Sequence, residues 1–163
     1  MLYSDASRRS IKLCDFGFAV ICGDKKLKTI CGSPAYMAPE LSTREAYLGP
    51  PVDLWALGCF AFEVLHGVAP FRGESLATLQ LRIKRVDHHP FRPSLTTETK
   101  KLIKALLVAE SRGRCPAATA ADGWRALHSQ LPGGGEGSAM PLIVDRDGRG
   151  FAAAAPAAAP SAE

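Results

Sequence analysis

The side chain best suited to chemistry is the carboxylate of Asp15, in the triplet Asp15-Phe16-Gly17. Carboxylate oxygens bind hard cations, but an aspartate close to a glycine can also do no more than cap a turn. The triplet ends a short alternating stretch, Ile11 to Cys14, which is typical of a strand. Because any three letters recur often by chance, the triplet gains meaning only from the motifs that follow it.

Three further motifs follow this triplet in order along the chain. Residues 32–40 read GSPAYMAPE, residues 53–58 read DLWALG and residues 67–71 read GVAPF. Arg114 then follows an amphipathic stretch, residues 97–108. Four ordered motifs at this spacing do not arise by chance, so we interpret them as parts of one functional unit.

In this order and spacing the motifs resemble those of the eukaryotic protein kinase family, over residues 1–131. Gly32, Ser33 and Tyr36 are similar to the pattern of serine/threonine kinases rather than tyrosine kinases. Residues 27–34 are similar to the calcium/calmodulin-dependent and AMP-activated kinase branch. The resemblance implies a mainly α fold: the helical C-lobe of a protein-kinase-like domain with its activation segment, and with the N-lobe and the catalytic loop absent.

The resemblance implies that the triplet binds the cofactors of a complete kinase, ATP and Mg²⁺. Asp15 would bind a Mg²⁺ ion that bridges the nucleotide phosphates, whose charge must be neutralised for transfer. Phe16 would pack inward and help to set the conformation of the following segment, and Gly17 would permit the backbone turn. We expect this chain alone to bind neither cofactor well, and a turn-capping role for Asp15 stays open.

The resemblance also implies regulatory and substrate-positioning roles for the segment after the triplet. Thr29 matches the position that an upstream activating kinase phosphorylates in the similar branch. A phosphate there would add nearly two negative charges, which order such segments by pairing with arginine. An ordinary exposed threonine is the alternative. Gly32, Ser33 and Tyr36 fall in the stretch that positions the substrate residue after the phosphoacceptor.

Four further residues are expected to be structural. Glu40 resembles a glutamate that forms a buried ion pair with an arginine late in the domain, for which Arg114 is the match. Asp53 resembles the aspartate that holds the catalytic loop by accepting backbone N–H bonds; as an alternative it would cap the N-terminus of its helix. Trp55 is predicted to lie in the core.

The elements that must position these residues are mostly helices. Residues 53–66 are apolar on every side, which is typical of a buried central helix. Apolar spacing predicts further helices at residues 75–84, 97–108 and 119–131. Residues 132–163 are rich in Gly, Ala and Pro and cannot bury enough apolar surface to offset the entropy of ordering, so we predict a disordered tail.

Composition argues against several other classes of function. The net charge of +4 is mild and the basic residues are scattered, which disfavours a nucleic-acid partner. No apolar run reaches the ~18 residues of a membrane span, so we expect no membrane partner. The five cysteines are odd in number and include no CxxC pair, which favours a reducing intracellular compartment, the cytoplasm or the nucleus.

The motifs that are missing set the expected function. The sequence contains no Gly-rich phosphate loop, no lysine in a V-A-I-K strand and no H-R-D-x-x-x-x-N loop with its catalytic aspartate. We therefore expect a fragment of a serine/threonine protein kinase. The parent enzyme would transfer the ATP γ-phosphate to serine or threonine of protein substrates, whereas this chain alone would be inactive. The alternative is a non-catalytic module that binds kinase substrates or regulators.

The missing segments also have a consequence for folding. The helix that packs against residues 53–66 in the family precedes the catalytic loop and has no counterpart in this sequence. We therefore expect an exposed apolar face, and a chain that aggregates or is partly molten.

Overall fold

The computed structural model describes residues 2–3, 11–43 and 45–129, and its regular structure is mainly helical. The predicted mainly α fold is therefore confirmed. The predicted tail, residues 132–163, lies outside the described residues. In the described part the helices are α1 (Gly49–His66), α2 (Leu76–Arg85), α3 (Thr97–Leu106) and α4 (Ala117–Ser129).

A short antiparallel ribbon precedes the helices. Its strands are β1 (Leu2–Tyr3) and β2 (Ile11–Lys12), and Leu2 lies opposite Lys12. The strand predicted at Ile11 to Cys14 therefore forms, but it ends at Lys12. The backbone turns away soon afterwards, since Asp15 adopts the left-handed conformation that no strand accommodates.

Helix α1 begins at Gly49, earlier than the predicted start at Asp53. Pro50 and Pro51 occupy its first turn, where proline is tolerated because the N–H groups there have no partner inside the helix. The N-cap residue is Leu48, whose side chain makes no capping hydrogen bond. The alternative that Asp53 caps this helix is therefore wrong, since Asp53 lies inside it.

Helix α1 is the centre of the core. Trp55, Cys59 and Phe62 project from one side of this helix and are fully buried. Ile103 of α3 and Phe71 pack in the same cluster, and the Phe71 ring stacks on the Trp55 indole with 5.5 Å between ring centroids. Burying a large apolar side chain contributes about 1.5–3 kcal/mol. This cluster therefore fixes α1 and the segments that pack on it.

The opposite side of α1 is less covered than the side that carries Trp55 and Phe62. Leu54, Leu57 and Phe60 are only half-buried, and Val64 is 64% exposed. Val64 lies about 200° around the helix from Phe62, and α3 packs on the Phe62 side. The helix is therefore not buried on every side, and the exposed Val64 agrees with the exposed apolar face expected where a packing helix is missing.

The contact between α1 and α3 depends on Gly58. A Cβ atom at this position would lie 2.9 Å from the Leu106 Cβ atom and 2.9 Å from the Leu107 Cδ2 atom. Carbon atoms in favourable contact lie about 3.5–4.0 Å apart. Glycine is therefore the residue that lets these two helices approach so closely.

The ends of the other helices follow local capping chemistry. Ser75 and Thr96 cap α2 and α3, and their side-chain oxygens each accept the backbone N–H three residues on, at 3.1 and 3.2 Å. Helix α3 ends at Leu106, before the predicted end at residue 108, because Leu107 leaves the helical conformation. The three helices predicted after α1 thus form, with shifted ends.

The described residues contain neither a helix that could cross a membrane nor a cluster of side chains that could bind a metal ion. No helix in residues 45–129 combines the length and the hydropathy needed to cross a membrane. Across the described part, no group of three or more His, Cys, Asp and Glu side chains could hold a metal ion.

Candidate functional site

The triplet forms an exposed turn built around Asp15. Its backbone is left-handed, with φ 64°, and its Oδ1 atom accepts the backbone N–H of Gly17 at 3.3 Å. Aspartate tolerates this conformation because its short polar side chain can form such local hydrogen bonds. Asp15 is the left-handed residue, and Gly17 follows it within a turn that the Ala19 N–H closes by donating to the Phe16 carbonyl oxygen at 3.0 Å. A Cβ atom on Gly17 would lie 3.3 Å from the Asp15 Oδ1 atom, so glycine leaves room for this carboxylate, and the role of Gly17 in permitting the turn stays a prediction.

Phe16 does not pack inward as predicted. Its ring is 60% exposed and belongs neither to the core cluster nor to the apolar residues packed around that cluster. The neighbouring side chains of Phe18, Val20 and Ile21 are exposed as well. Phe18 and Val20 nevertheless line a cavity against α1, whereas Phe16 does not.

Thr29 lies on the surface, and its backbone is held by Tyr47. The backbones of Tyr47 and Leu27 exchange two hydrogen bonds of 2.8 and 2.9 Å as an isolated antiparallel bridge. The Tyr47 hydroxyl donates to the carbonyl oxygen of Thr29, whose side chain is exposed. Sequence analysis missed Tyr47, because a single bridge leaves no alternating pattern of apolar residues.

The next segment, residues 30–42, turns onto the helices, and we call it the platform. It contains two short 3₁₀ turns, Pro34–Tyr36 and Pro39–Ser42. Gly32 lies near the start of the platform and has φ 118°, a backbone conformation that residues with a side chain rarely adopt. The predicted substrate-positioning residues therefore lie at the start of the platform, where glycine sets the direction of the chain.

Tyr36 fastens the platform to α1. Its hydroxyl donates to the carboxylate of Glu63. Burial, and then the neighbouring Glu63 carboxylate, raise the pKa of Tyr36 to about 12. The hydroxyl therefore stays protonated at neutral pH and can keep donating to Glu63.

Ser33 and Asp53 line one cavity, which lies between the chain from Phe18 to Leu41 and the start of α1. The cavity has a volume of about 170 Å³, and its other walls are mainly apolar. Tyr47 contributes to the same wall. Thr29, Gly32 and Tyr36 also line this cavity, so the fold brings five of the predicted site residues together.

A second cavity, which we call the platform groove, lies between the platform and α2. Its volume is about 290 Å³. Most of its walls are apolar, with Ile30, Pro34 and Met37 on the platform side and Leu76 and Ile83 on the α2 side. Ile30 and Leu76 are 46% and 55% exposed, so the groove is open to molecules from solvent.

Glu40 and Arg114, which were predicted to pair, are in contact. The guanidinium donates to both carboxylate oxygens, with N···O distances of 2.6 Å. The Arg114 side chain is fully buried and lies over the Trp55 indole, with 5.1 Å from the guanidinium carbon to the ring centroid. Its remaining N–H groups donate to three backbone carbonyl oxygens, those of Pro51, Val108 and Ala109.

Residues 1–123 match the protein kinase domain. The chain belongs to the protein kinase family. This kinase chain is 42% identical over 103 residues to the "CBL-interacting serine/threonine-protein kinase 21" of Arabidopsis thaliana. It is 40% identical over 103 residues to the "Probable serine/threonine-protein kinase MARK-A" of Dictyostelium discoideum. The resemblance to serine/threonine kinases is therefore confirmed.

The two alignments cover unequal shares of the proteins compared. They include 62% and 63% of this kinase chain, but 24% and 10% of the two relatives. The chain therefore spans about a quarter and a tenth of the length of these serine/threonine kinases.

Within this kinase chain, the fold unites some of the predicted site residues and separates others. Glu40, Arg114 and Trp55 form one buried group. Asp15 lines neither of the two cavities and lies in an exposed turn. Glu63 was missed as a site residue. A half-buried carboxylate in an apolar helix is nevertheless a signal, because a charge that is partly removed from water requires a partner.

Proposed function

We propose that the described residues form the activation segment and the peptide-binding platform of a serine/threonine kinase. The parent enzyme would transfer the γ-phosphate of ATP to serine or threonine of protein substrates, after phosphorylation by an upstream activating kinase. The observation that carries this proposal is the platform groove. The five free cysteines favour a reducing location, the cytoplasm or the nucleus.

The platform groove suits one apolar side chain of a bound peptide. A charged side chain would lose hydration there without gaining a charged partner, because the polar residues of the lining are Ser42 and Gln80. An apolar side chain of leucine size gains about 1.5–3 kcal/mol on burial. Gly32 and Ser33 directly precede Pro34, which lines the groove. We therefore assign the groove to the substrate residue that follows the phosphoacceptor.

Two polar contacts hold the groove in shape before a peptide arrives. The Tyr36 hydroxyl binds Glu63 of α1, and Glu40 pairs with the buried Arg114. Peptide binding to a preformed groove loses less side-chain entropy, because the groove side chains are already ordered. The contacts at Tyr36 and Glu40 would therefore support peptide affinity without touching the peptide.

Asp15 is the residue that would hold magnesium in the complete enzyme. Its exposed carboxylate can be reached by a metal ion, but it supplies one ligand group where Mg²⁺ prefers octahedral coordination by oxygen. Nucleotide phosphates and water would supply the remaining oxygens. Magnesium bound there would neutralise phosphate charge, with Phe16 and Gly17 bordering the nucleotide.

We propose that these 163 residues alone do not transfer phosphate. Phosphoryl transfer depends on positioning and on charge neutralisation. The sequence contains no Gly-rich loop, no V-A-I-K lysine and no H-R-D aspartate to supply them. Asp15 by itself cannot hold a triphosphate in line with an attacking hydroxyl.

Thr29 is the proposed regulatory phosphorylation site. Its side chain is exposed, so a modifying kinase can reach the hydroxyl. The added phosphate would carry nearly two negative charges and would pair with an arginine of the catalytic loop in the parent enzyme.

The groove assignment is tested with two labelled peptides that differ only in the residue after a serine, leucine in one and aspartate in the other. We expect the 163-residue chain to bind the leucine peptide about tenfold more tightly, as measured by fluorescence anisotropy. Leu76→Glu should abolish this preference. Leu81→Glu, which changes a similarly exposed leucine of α2 outside the groove, should retain it. Equal binding of both peptides to the wild-type chain would contradict the assignment.

A non-catalytic binding module is the second candidate, and the turn-capping position of Asp15 favours it. Such a module would use the same groove but would need no nucleotide. Sequencing the messenger RNA upstream of the Met1 codon distinguishes the kinase from the non-catalytic module. An in-frame H-R-D-x-x-x-x-N sequence upstream of Met1 supports the kinase, and a stop codon there supports the module.

A further inference from the structure

Tyr47 makes three hydrogen bonds to the segment that carries Thr29. Its backbone N–H and carbonyl pair with those of Leu27, at 2.9 and 2.8 Å. Its hydroxyl donates to the carbonyl oxygen of Thr29. One residue therefore fixes both ends of the tripeptide 27–29.

The surroundings of Tyr47 make it a firm anchor. It lies just before α1, which begins at Gly49, and its half-buried side chain lines the cavity that Asp53 also lines. Burial, and then the nearby Cys31 and Asp53 side chains, raise the pKa of Tyr47. The hydroxyl therefore remains protonated and able to donate at neutral pH.

The residues held by Tyr47 have little other support. Residues 23–26 and 28–30 are exposed. Within the described chain, the backbone hydrogen bonds of residues 27–30 all go to Tyr47. Loss of the Tyr47 contacts would therefore release this stretch without disturbing the core.

We propose that Tyr47 is a positioning residue that clamps residues 27–29 to the start of α1 and keeps the Thr29 hydroxyl facing solvent, where a phosphorylating enzyme reaches it. The regulatory use of the clamp rests on the proposed function of Thr29, whereas the clamp itself does not.

Hydrogen–deuterium exchange of the full 163-residue chain tests the clamp. Tyr47→Phe keeps the ring and the backbone bridge but removes the hydroxyl. Exchange of the Leu27 amide, which donates to the Tyr47 carbonyl oxygen in the bridge, should become about 2–10-fold faster, the factor expected for one lost hydrogen bond. Tyr36→Phe is the matched control, because it removes a different tyrosine hydroxyl bond, to Glu63, and should leave this exchange unchanged.

The rate of trypsin cleavage after Lys28 provides a second readout. We expect this rate to rise about 2–10-fold in Tyr47→Phe and to stay unchanged in Tyr36→Phe. Unchanged exchange and cleavage in Tyr47→Phe would overturn the proposal. An equal rise in the amides of α3 would also overturn it, because the effect would then be global. Wild-type exchange of the Leu27 amide as fast as that of an unstructured peptide would also overturn it.

Mass spectrometry of the chain isolated from cells decides the role of Thr29 separately. Phosphate on Thr29 supports the regulatory use of the clamp. An unmodified Thr29, together with slow exchange of the Leu27 amide in the wild-type chain, would overturn that use and the proposed phosphorylation site but leave the clamp itself standing.

Discussion

Arg114 uses the full hydrogen-bonding capacity of its side chain. A guanidinium carries five N–H donors, and those of Arg114 meet the two carboxylate oxygens of Glu40 and three backbone carbonyl oxygens. Because the side chain is fully buried, any donor that lost its partner would carry a desolvation penalty. Arg114 therefore holds the end of the platform, the start of α1 and the chain after α3 together.

Truncating Arg114 tests this role at the residue scale. Arg114→Ala should lower the free energy of unfolding by about 3–5 kcal/mol, because Glu40 loses its partner in a largely buried site. Arg125→Ala removes an exposed guanidinium paired with Asp122 and should cost only about 0–1 kcal/mol. Urea unfolding followed by tryptophan fluorescence measures both. Similar losses in the two variants would be incompatible with a buried, fully paired Arg114.

The pH dependence of stability tests the contact between Tyr36 and Glu63. The pKa of Tyr36 is raised to about 12 in the folded chain, above the value of about 10 in an unfolded chain. The stabilisation is therefore fully present below pH ~10 and is lost as the pH rises from ~10 to ~12. Urea unfolding across this range should show the wild-type chain losing stability relative to Tyr36→Phe. Parallel curves for the two chains would argue against the raised pKa.

At the scale of elements, the close approach of α1 and α3 rests on the absence of a side chain at Gly58. A methyl group added there would lie nearest to atoms of Leu106 and Leu107, and the Leu106 Cβ atom cannot move without its helix. The two helices would have to separate to admit that methyl group. The position of α1 under the platform therefore depends on this glycine.

Gly58→Ala should destabilise the chain by about 1–3 kcal/mol through overpacking, even though alanine favours a helix more than glycine does. Gly123→Ala is the control, because its added methyl group would meet the flexible end of the Leu102 side chain, 3.0 Å away. That control should change the unfolding free energy much less. Equal effects in thermal unfolding would contradict the close-approach explanation.

The helices could be predicted because their apolar residues repeat with helical spacing, which a local reading of the sequence detects. The start of α1 was misplaced, since Pro50 and Pro51 usually mark a loop yet fit a first helical turn. The left-handed backbone of Asp15 was not predicted, because glycine is the more common left-handed residue.

The candidate site could be predicted in part, for a physical reason. The pairing of Glu40 with Arg114 follows from motifs that can be recognised in the sequence. The contacts of Tyr47 with Leu27 and Thr29, and the walls of the platform groove, join residues that are distant in the sequence and carry no periodic pattern. Only the folded chain brings such residues together.

At the scale of the whole molecule, the described chain combines a packed core with a broad apolar surface. Trp55 and Phe62 are fully buried, whereas large apolar side chains at nine described positions are exposed. These include Ile21, which is 92% exposed, and Val64 on the uncovered face of α1. Contiguous exposed apolar surface promotes association, so this chain should self-associate.

Val64→Lys should shift the chain toward the monomer in sedimentation velocity experiments at micromolar concentration, because it places a charge on the uncovered face of α1. Ala77→Lys, at an exposed position of α2, adds the same charge elsewhere and should leave self-association unchanged. A wild-type chain that stays monomeric and unfolds in one sharp thermal transition would contradict the expected exposure of this face.

Phosphate transfer by the purified 163-residue chain is the most direct test of the proposed function. With labelled ATP, Mg²⁺ and a peptide in which leucine follows serine, we predict incorporation no higher than in a reaction without protein. The reason is that Asp15 alone neither orients the triphosphate nor removes the proton from the attacking hydroxyl. Incorporation well above this background that disappears in Asp15→Ala would contradict the account.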